Sequence, residues 1–223
     1  MSASQAAESA EVCLLDSSYG PEAASLLFRA YRNDPTFRWL MDASRPGYDH
    51  RLRTTLRELL RNHIAEHRPA LGLVQNDRLI GIALVAPPER RLEVTESWGW
   101  RLRMLLGAGR RATRRYLEFH EAVMACVPTG PHHLLPLLGV LPDYQGRGYG
   151  ERLLAALHDW CAQDSQSHGI VLDTGNQQYL DFYRRNGYRE IGEVAVGPVR
   201  EHVFFHPNPQ SPTPGWRLRI ARG

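Results

Sequence analysis

Lysine is missing altogether from these 223 residues, so arginine supplies all 27 basic side chains. A nucleoside-triphosphate loop must end in Gly-Lys-Ser/Thr, and that class is excluded at once. Cysteine is scarce: Cys13, Cys126 and Cys161 are odd in number and far apart. They have neither the CxxC spacing of zinc ligands nor the even density of a disulfide framework, which predicts three reduced, mostly buried thiols and no metal. No run of about 18 apolar residues is present to cross a bilayer. The opening MSASQAAESAEV lacks the basic start and apolar stretch of a secretory signal. The expectation is a cytoplasmic protein with no membrane partner. Charge of one sign is also short, at a formal +3, and without any recognised reading motif no nucleic-acid partner is expected.

Apolar residues make up 43% of the chain, enough for one sizeable core rather than two equal domains. We expect a single domain over residues 1–206, with a helical insertion at about 89–130. A Pro-rich tail, opening PNPQSPTPG, follows over 207–223. The sequence is compatible with a homodimer and does not decide the oligomeric state.

Periodicity places the elements. EVCLLDSS (11–18) suits a first strand, and Pro21 opens an amphipathic helix that stops at Asp34-Pro35. Residues 48–67 carry leucines at helical spacing and end before Pro69. ALGLVQ and RLIGIALVAP are β-rich runs joined by the turn pair Asn76-Asp77. Residues 89–127 are rich in Arg, Leu and Trp at helical spacing, with breaks at Gly107 and Gly109, and predict one or two helices. HHLLPLLGV reads as a central strand in which Pro136 marks a bulge, because proline cannot donate to a ladder. A glycine loop, a helix over 151–163 and the buried strand GIVLDT then complete a right-handed crossover. A helix capped by Asn176 and closed at Gly187 leads to a final hairpin.

The chemistry concentrates after Val140, where the chain reads Gln145-Gly146-Arg147-Gly148-Tyr149-Gly150 before a helix. Glycines let the backbone approach a ligand, and free amides at the helix start, with the positive end of its dipole, hold a pyrophosphate. The dinucleotide fingerprint GxGxxG is the nearest rival, with Asp173 placed as its ribose acid. Its third glycine would stand one position later, and only one crossover follows. Glycines that merely shape a tight connection are the other alternative.

The pattern Gln/Arg-x-x-Gly-x-Gly/Ala after a fourth strand resembles the pyrophosphate loop of the GNAT superfamily of N-acetyltransferases. A second segment, LDTGNQQYLDFYRRNGYREIGE, resembles the same superfamily in its ordered Asn, Phe-Tyr pair and Gly-aromatic pair. DPTFRWL, the helical insertion and PHHLLPLLGVLPDYQGRGYG look like the bacterial branch that includes puromycin N-acetyltransferase.

The resemblance implies an α/β fold with a twisted, mixed, mostly antiparallel central sheet of about seven strands flanked by helices. It implies acetyl-CoA as co-substrate and a small-molecule primary amine as acceptor, joined by direct attack in a ternary complex. Leu138, Gly139 and Val140 would pair through their backbone with the pantetheine arm. Gln145 to Gly150 would hold the pyrophosphate, including Gly146, Arg147, Gly148 and Tyr149. Asn176 would bond the arm near the thiol, and Tyr183 would protonate the departing thiolate, as a phenol protonated at neutral pH can. Phe182 is expected to pack the core. The base that takes the amine's proton stays open among Glu118, His120, Glu121, His132, His133 and water. Tyr31, Asp34, Trp39, Trp98 and Trp100 are candidates for acceptor contact. A catalytically silent acetyl-CoA sensor and a protein or peptide acetyltransferase remain the alternatives.

Overall fold

The protein is described by a computed structural model over residues 10–88, 98–208 and 219–221. The first part of the insertion, 89–97, and most of the expected tail lie outside these described residues.

The strands are β1 (Glu11–Leu15), β2 (Ala70–Gln75), β3 (Arg78–Ala86), β4 (His133–Val140), β5 (Gly169–Thr174), β6 (Arg189–Val196) and β7 (Val199–Pro207). They form the expected mixed, mostly antiparallel sheet, in the order β6-β7-β5-β4-β3-β2-β1. A short β8 (Arg219–Ala221), within the segment read as tail, adds an eighth strand parallel to β1. The β2–β3 hairpin turns through Asn76 and Asp77 at φ 50° and 58°, left-handed values that Asn and Asp tolerate.

The helices are α1 (Gly20–Tyr31), α2 (Pro35–Leu40), α3 (Tyr48–Ala65), α4 (Trp98–Gly107), α5 (Arg110–Cys126), α6 (Tyr149–Cys161) and α7 (Leu180–Arg185). Sequence reasoning did not foresee α2 as a separate helix. Asp34 caps it, accepting the Phe37 N–H at 3.0 Å, and Pro35 takes its first position. The pair that ends one helix thus begins the next. The insertion resolves into two helices, α4 and α5, broken at Gly109.

Helices cover both faces of the sheet. On one face α1 meets β3 and β4 so closely that a Cβ at Gly139 would lie 3.1 Å from Ala30 Cβ. On the other face, α6 drives Leu153, Leu154 and Leu157 to complete burial, worth about 1.5–3 kcal/mol for each such side chain. A smaller cluster, Val123, Val171 and Val203, seats α5 over β5 and β7. Cys13 and Cys161 are buried thiols and Cys126 is half-buried.

Candidate active site

The sheet opens in its middle. β4 and β5 run parallel but pair only at His133 with Ile170 and at Leu134 with Val171. Past that point the strands splay. Leu84 faces Leu137 while Ala86 faces Leu134, so Leu135 and Pro136 bulge opposite Val85. A cavity of about 770 Å³ fills the gap, a size that suits a small-molecule site.

The glycine loop stands at one end of this cavity. Gly146 and Gly148 adopt φ 71° and 78°. A Cβ on either would meet nothing within 4 Å, so these glycines serve the backbone turn rather than packing. Gly148 precedes α6 and no side chain caps that helix start, which leaves first-turn amides turned toward an incoming anion. Gln145 donates to the Val140 carbonyl at 2.9 Å and ties the loop to β4. Arg147 is exposed beside the Tyr144 ring. The Tyr149 side chain turns into the core, where its hydroxyl accepts from Gln75 at 3.3 Å. A Cβ at Gly150 would sit 3.2 Å from the Phe182 ring, so Phe182, expected as plain core, also walls the cavity against the loop.

Along β4 the expectation for three consecutive residues narrows. Gly139 pairs with Ile82 of β3, and its missing side chain is explained by the approach of α1. The Leu138 N–H and C=O instead face the notch, where both are held by Tyr31: Leu138 N donates to its hydroxyl at 3.0 Å, and the hydroxyl donates to Leu138 O at 2.9 Å. Val140 turns the same way, its carbonyl taken by Gln145. Asn176 lines the cavity and spends its side-chain oxygen on the Gln178 N–H at 3.1 Å.

Tyr183 also lines the cavity, is 7% exposed, and its hydroxyl has no hydrogen-bond partner among the described residues. Burial, then Tyr179, Asp173 and Asp34 close by, push its pKa up, which keeps the phenol protonated at neutral pH.

Of the five side chains considered as base, His120 alone reaches the cavity, stacked on Tyr116. Glu118 is exposed and paired with Arg114. Glu121 is exposed as well. His132 is buried outside the cavity, and His133 bonds Ser167 at 2.8 Å beneath Trp160. Helical spacing could not say which face of α5 meets the sheet, and that face decides. Among the acceptor candidates, Tyr31 and Asp34 line the cavity. Trp39 lies under the Arg115 guanidinium, Trp100 is fully buried and Trp98 is 83% exposed, and none of the three lines it.

Two acids come together that sequence reasoning did not join: Asp173 was weighed only as a ribose acid, and Glu201 was missed. Asp173 of β5 and Glu201 of β7 share a side-chain hydrogen bond in the cavity wall, and Thr36 Oγ1 donates to Glu201 at 2.5 Å. Asp173 faces Val203 across the sheet, so Glu201, two residues before Val203 on β7, shares its face on the diagonal. Burial raises both pKa values, and Asp34 nearby is pushed up to about 6 by the same cause. The available signal was a lone charge at the end of the otherwise apolar strand GIVLDT. Glu190, Glu193 and His202 are spaced like metal ligands, but Arg184 and Arg200 pair with the two glutamates, and none of the three lines the cavity.

Part of the sequence and the fold have counterparts among known proteins. Residues 116–190 match the family model described as an acetyltransferase (GNAT) domain. At the level of sequence, no curated protein matches the chain. Among solved structures it is similar to a histone acetyltransferase HPA2 and related acetyltransferase from Corynebacterium glutamicum, at 20% identity and a TM-score of 0.65 over 90% of this chain and 97% of that one. It is similar to arylalkylamine N-acetyltransferase 2 from Aedes aegypti, at 13% identity and 0.60 over 90% and 99%. It is also similar to the paia N-acetyltransferase of Thermoplasma acidophilum in complex with coenzyme A, at 13% identity and 0.56 over 89% and 99%. Residues 116–190 thus match the acetyltransferase (GNAT) domain model in sequence, and the described residues share the fold of these solved structures. Among the described residues no helix is long and apolar enough to cross a membrane.

Proposed function

We propose that the protein transfers the acetyl group of acetyl-CoA to a primary amine of a small molecule by direct attack within a ternary complex. One observation carries this reading: the gap between β4 and β5 has a phosphate-suited loop at its mouth and an unpartnered tyrosine hydroxyl in its wall.

Acetyl-CoA would lay its pyrophosphate on the amides from Gln145 to Gly150, with Gly146 and Gly148 setting the turn. Its pantetheine arm would complete the edge of β4 at Leu138 and Val140, near Asn176. The amine nitrogen attacks the thioester carbon, and the tetrahedral intermediate expels the thiolate. Tyr183 donates a proton to that sulfur and regains one from the new amide nitrogen. The solved structure of a related fold with coenzyme A supports the choice of cofactor. The segments that resemble puromycin N-acetyltransferase and the cavity of about 770 Å³ favour a small acceptor over a protein one.

A thiol-release assay with acetyl-CoA across aminonucleosides, aminoglycosides, amino acids, arylalkylamines and short peptides tests the proposal, with Tyr183→Phe as control. Release that requires an amine and falls in the variant is the expected result. Tight acetyl-CoA binding with no release across the panel would favour a sensor and overturn the enzymatic assignment.

A further inference from the structure

We infer that the Asp173–Glu201 carboxyl pair seats the acceptor's ammonium group and takes its first proton, so the acceptor is a primary alkylammonium carried on an apolar or aromatic body. The inference deepens the acetyl-transfer reading above and rests on it.

Two carboxyls hydrogen-bonded to each other inside a protein hold one proton between them, because two adjacent negative charges cannot both be kept away from water. The pair then carries a single charge. Glu201 is 2% exposed and its Thr36 partner 3% exposed. Among the described residues neither acid has an ion-pair partner. A buried charge without a counterion is costly, and a protein retains one where a ligand supplies the missing cation. Tyr183, a buried residue whose hydroxyl has no hydrogen-bond partner among the described residues, lines the same cavity. Phe37, Tyr116, Phe119 and Val123 also line the cavity and would receive the amine's body.

The proton balance closes. The ammonium gives one proton to the singly charged pair, which becomes neutral and later releases it to solvent. The neutral nitrogen forms its bond to the thioester carbon as the carbon–sulfur bond breaks. The second nitrogen proton replaces the one that Tyr183 gives to sulfur, and the products are the amide and the free thiol.

The titratable and charged groups that share the cavity wall with the pair include Asp34 at the start of α2, Tyr31 of α1, His63 of α3, Arg68, Tyr116 and His120 of α5, and Tyr179 and Tyr183 around α7. The tyrosines stay neutral through the physiological range. Amine binding therefore follows the acids: it is present while the pair is charged and is lost as falling pH protonates it completely.

Calorimetry on the full chain, with and without coenzyme A, tests this using 2-phenylethylamine and hexylamine against 2-phenylethanol and hexan-1-ol. The amines are expected to bind about tenfold tighter or more than their alcohols, a gap set by one charge-assisted contact. The double variant Asp173→Asn/Glu201→Gln should erase the gap and leave the melting temperature equal or higher, since the pair's single charge is removed. Equal binding of amine and alcohol by the native chain, no binding of either amine, or an unchanged gap in the folded double variant would overturn the inference. If a variant does not fold, the native amine–alcohol gap and its loss below neutral pH decide. Acetyl-CoA titrated separately judges the transferase reading: its failure to bind removes acetyl transfer, while the amine comparison still rules on the carboxyl pair.

Discussion

The Tyr31 hydroxyl holds both the N–H and the C=O of Leu138, on the edge of β4 left bare where β5 turns away. It stands where the proposed pantetheine arm would pair, so the free protein satisfies with a side chain what the proposed complex would satisfy with its cofactor. Tyr31→Phe should destabilise the free protein by about 1–3 kcal/mol, the cost of leaving buried groups unpaired. The same change should tighten acetyl-CoA binding, about tenfold for each 1.4 kcal/mol of contact that no longer has to be broken. Melting curves and calorimetry check both. Weaker binding in the variant would mean that the hydroxyl stays in the complex as a ligand contact.

Tyr183→Phe should lower kcat by about two to three orders of magnitude, the usual contribution of a positioned acid. Because its hydroxyl has no partner among the described residues, stability and acetyl-CoA affinity should hardly change. Steady-state kinetics with calorimetry separates the effects, and unchanged turnover would remove Tyr183 from its role.

Gly148→Ala places a side chain at φ 78° where nothing crowds it. The penalty is backbone strain of about 1–2 kcal/mol. The loop should relax away from the geometry that presents its amides, so acetyl-CoA affinity should fall further than the melting temperature implies. Gly139→Ala should do the reverse, crowding α1 and lowering stability first.

His158 stacks on His206 at a ring separation of 3.9 Å and bonds the Tyr188 hydroxyl. Burial, then the neighbouring imidazole, depresses its pKa to about 3. The unfolded chain therefore binds a proton that the folded chain refuses between about pH 6.5 and 3, and stability falls on acidification by about 1.4 kcal/mol per pH unit in that window. Asp34, raised to about 6, acts in the opposite sense, since its folded form holds the proton more tightly from about pH 6 down to 4. The native stability curve is the resultant. His158→Gln should remove the first slope alone, which denaturant titrations at pH 7, 6 and 5 would read as a gap from the native chain that shrinks with acidity.

The loop and the crossover were legible because their signals are local. A positive φ at Gly146 and Gly148 favours glycine, and the residues that turn the chain are the ones proposed to cradle the anion. Asp34 was legible as a stop but not as a start, since an Asp-Pro pair serves both ends equally well. The carboxyl pair was hidden for another reason. Asp173 and Glu201 meet through the register of β5 against β7, and no spacing within one segment encodes that register. The histidines and glutamates of α5 misled because their number suggested chemistry, whereas only the face turned to the sheet reaches the cavity, and of them His120 alone lines it.

The two pairings at His133 and Leu134 are all that the ladder provides between the halves of the sheet. A ligand lying in the gap would act as a borrowed strand, so saturation becomes mechanical reinforcement. At about one hundred times its dissociation constant it would add about 2.7 kcal/mol to the fold. A cell starved of acetyl-CoA would then hold not only an idle form of this protein but a softer one, with the seam between β4 and β5 the first place to exchange its amide hydrogens.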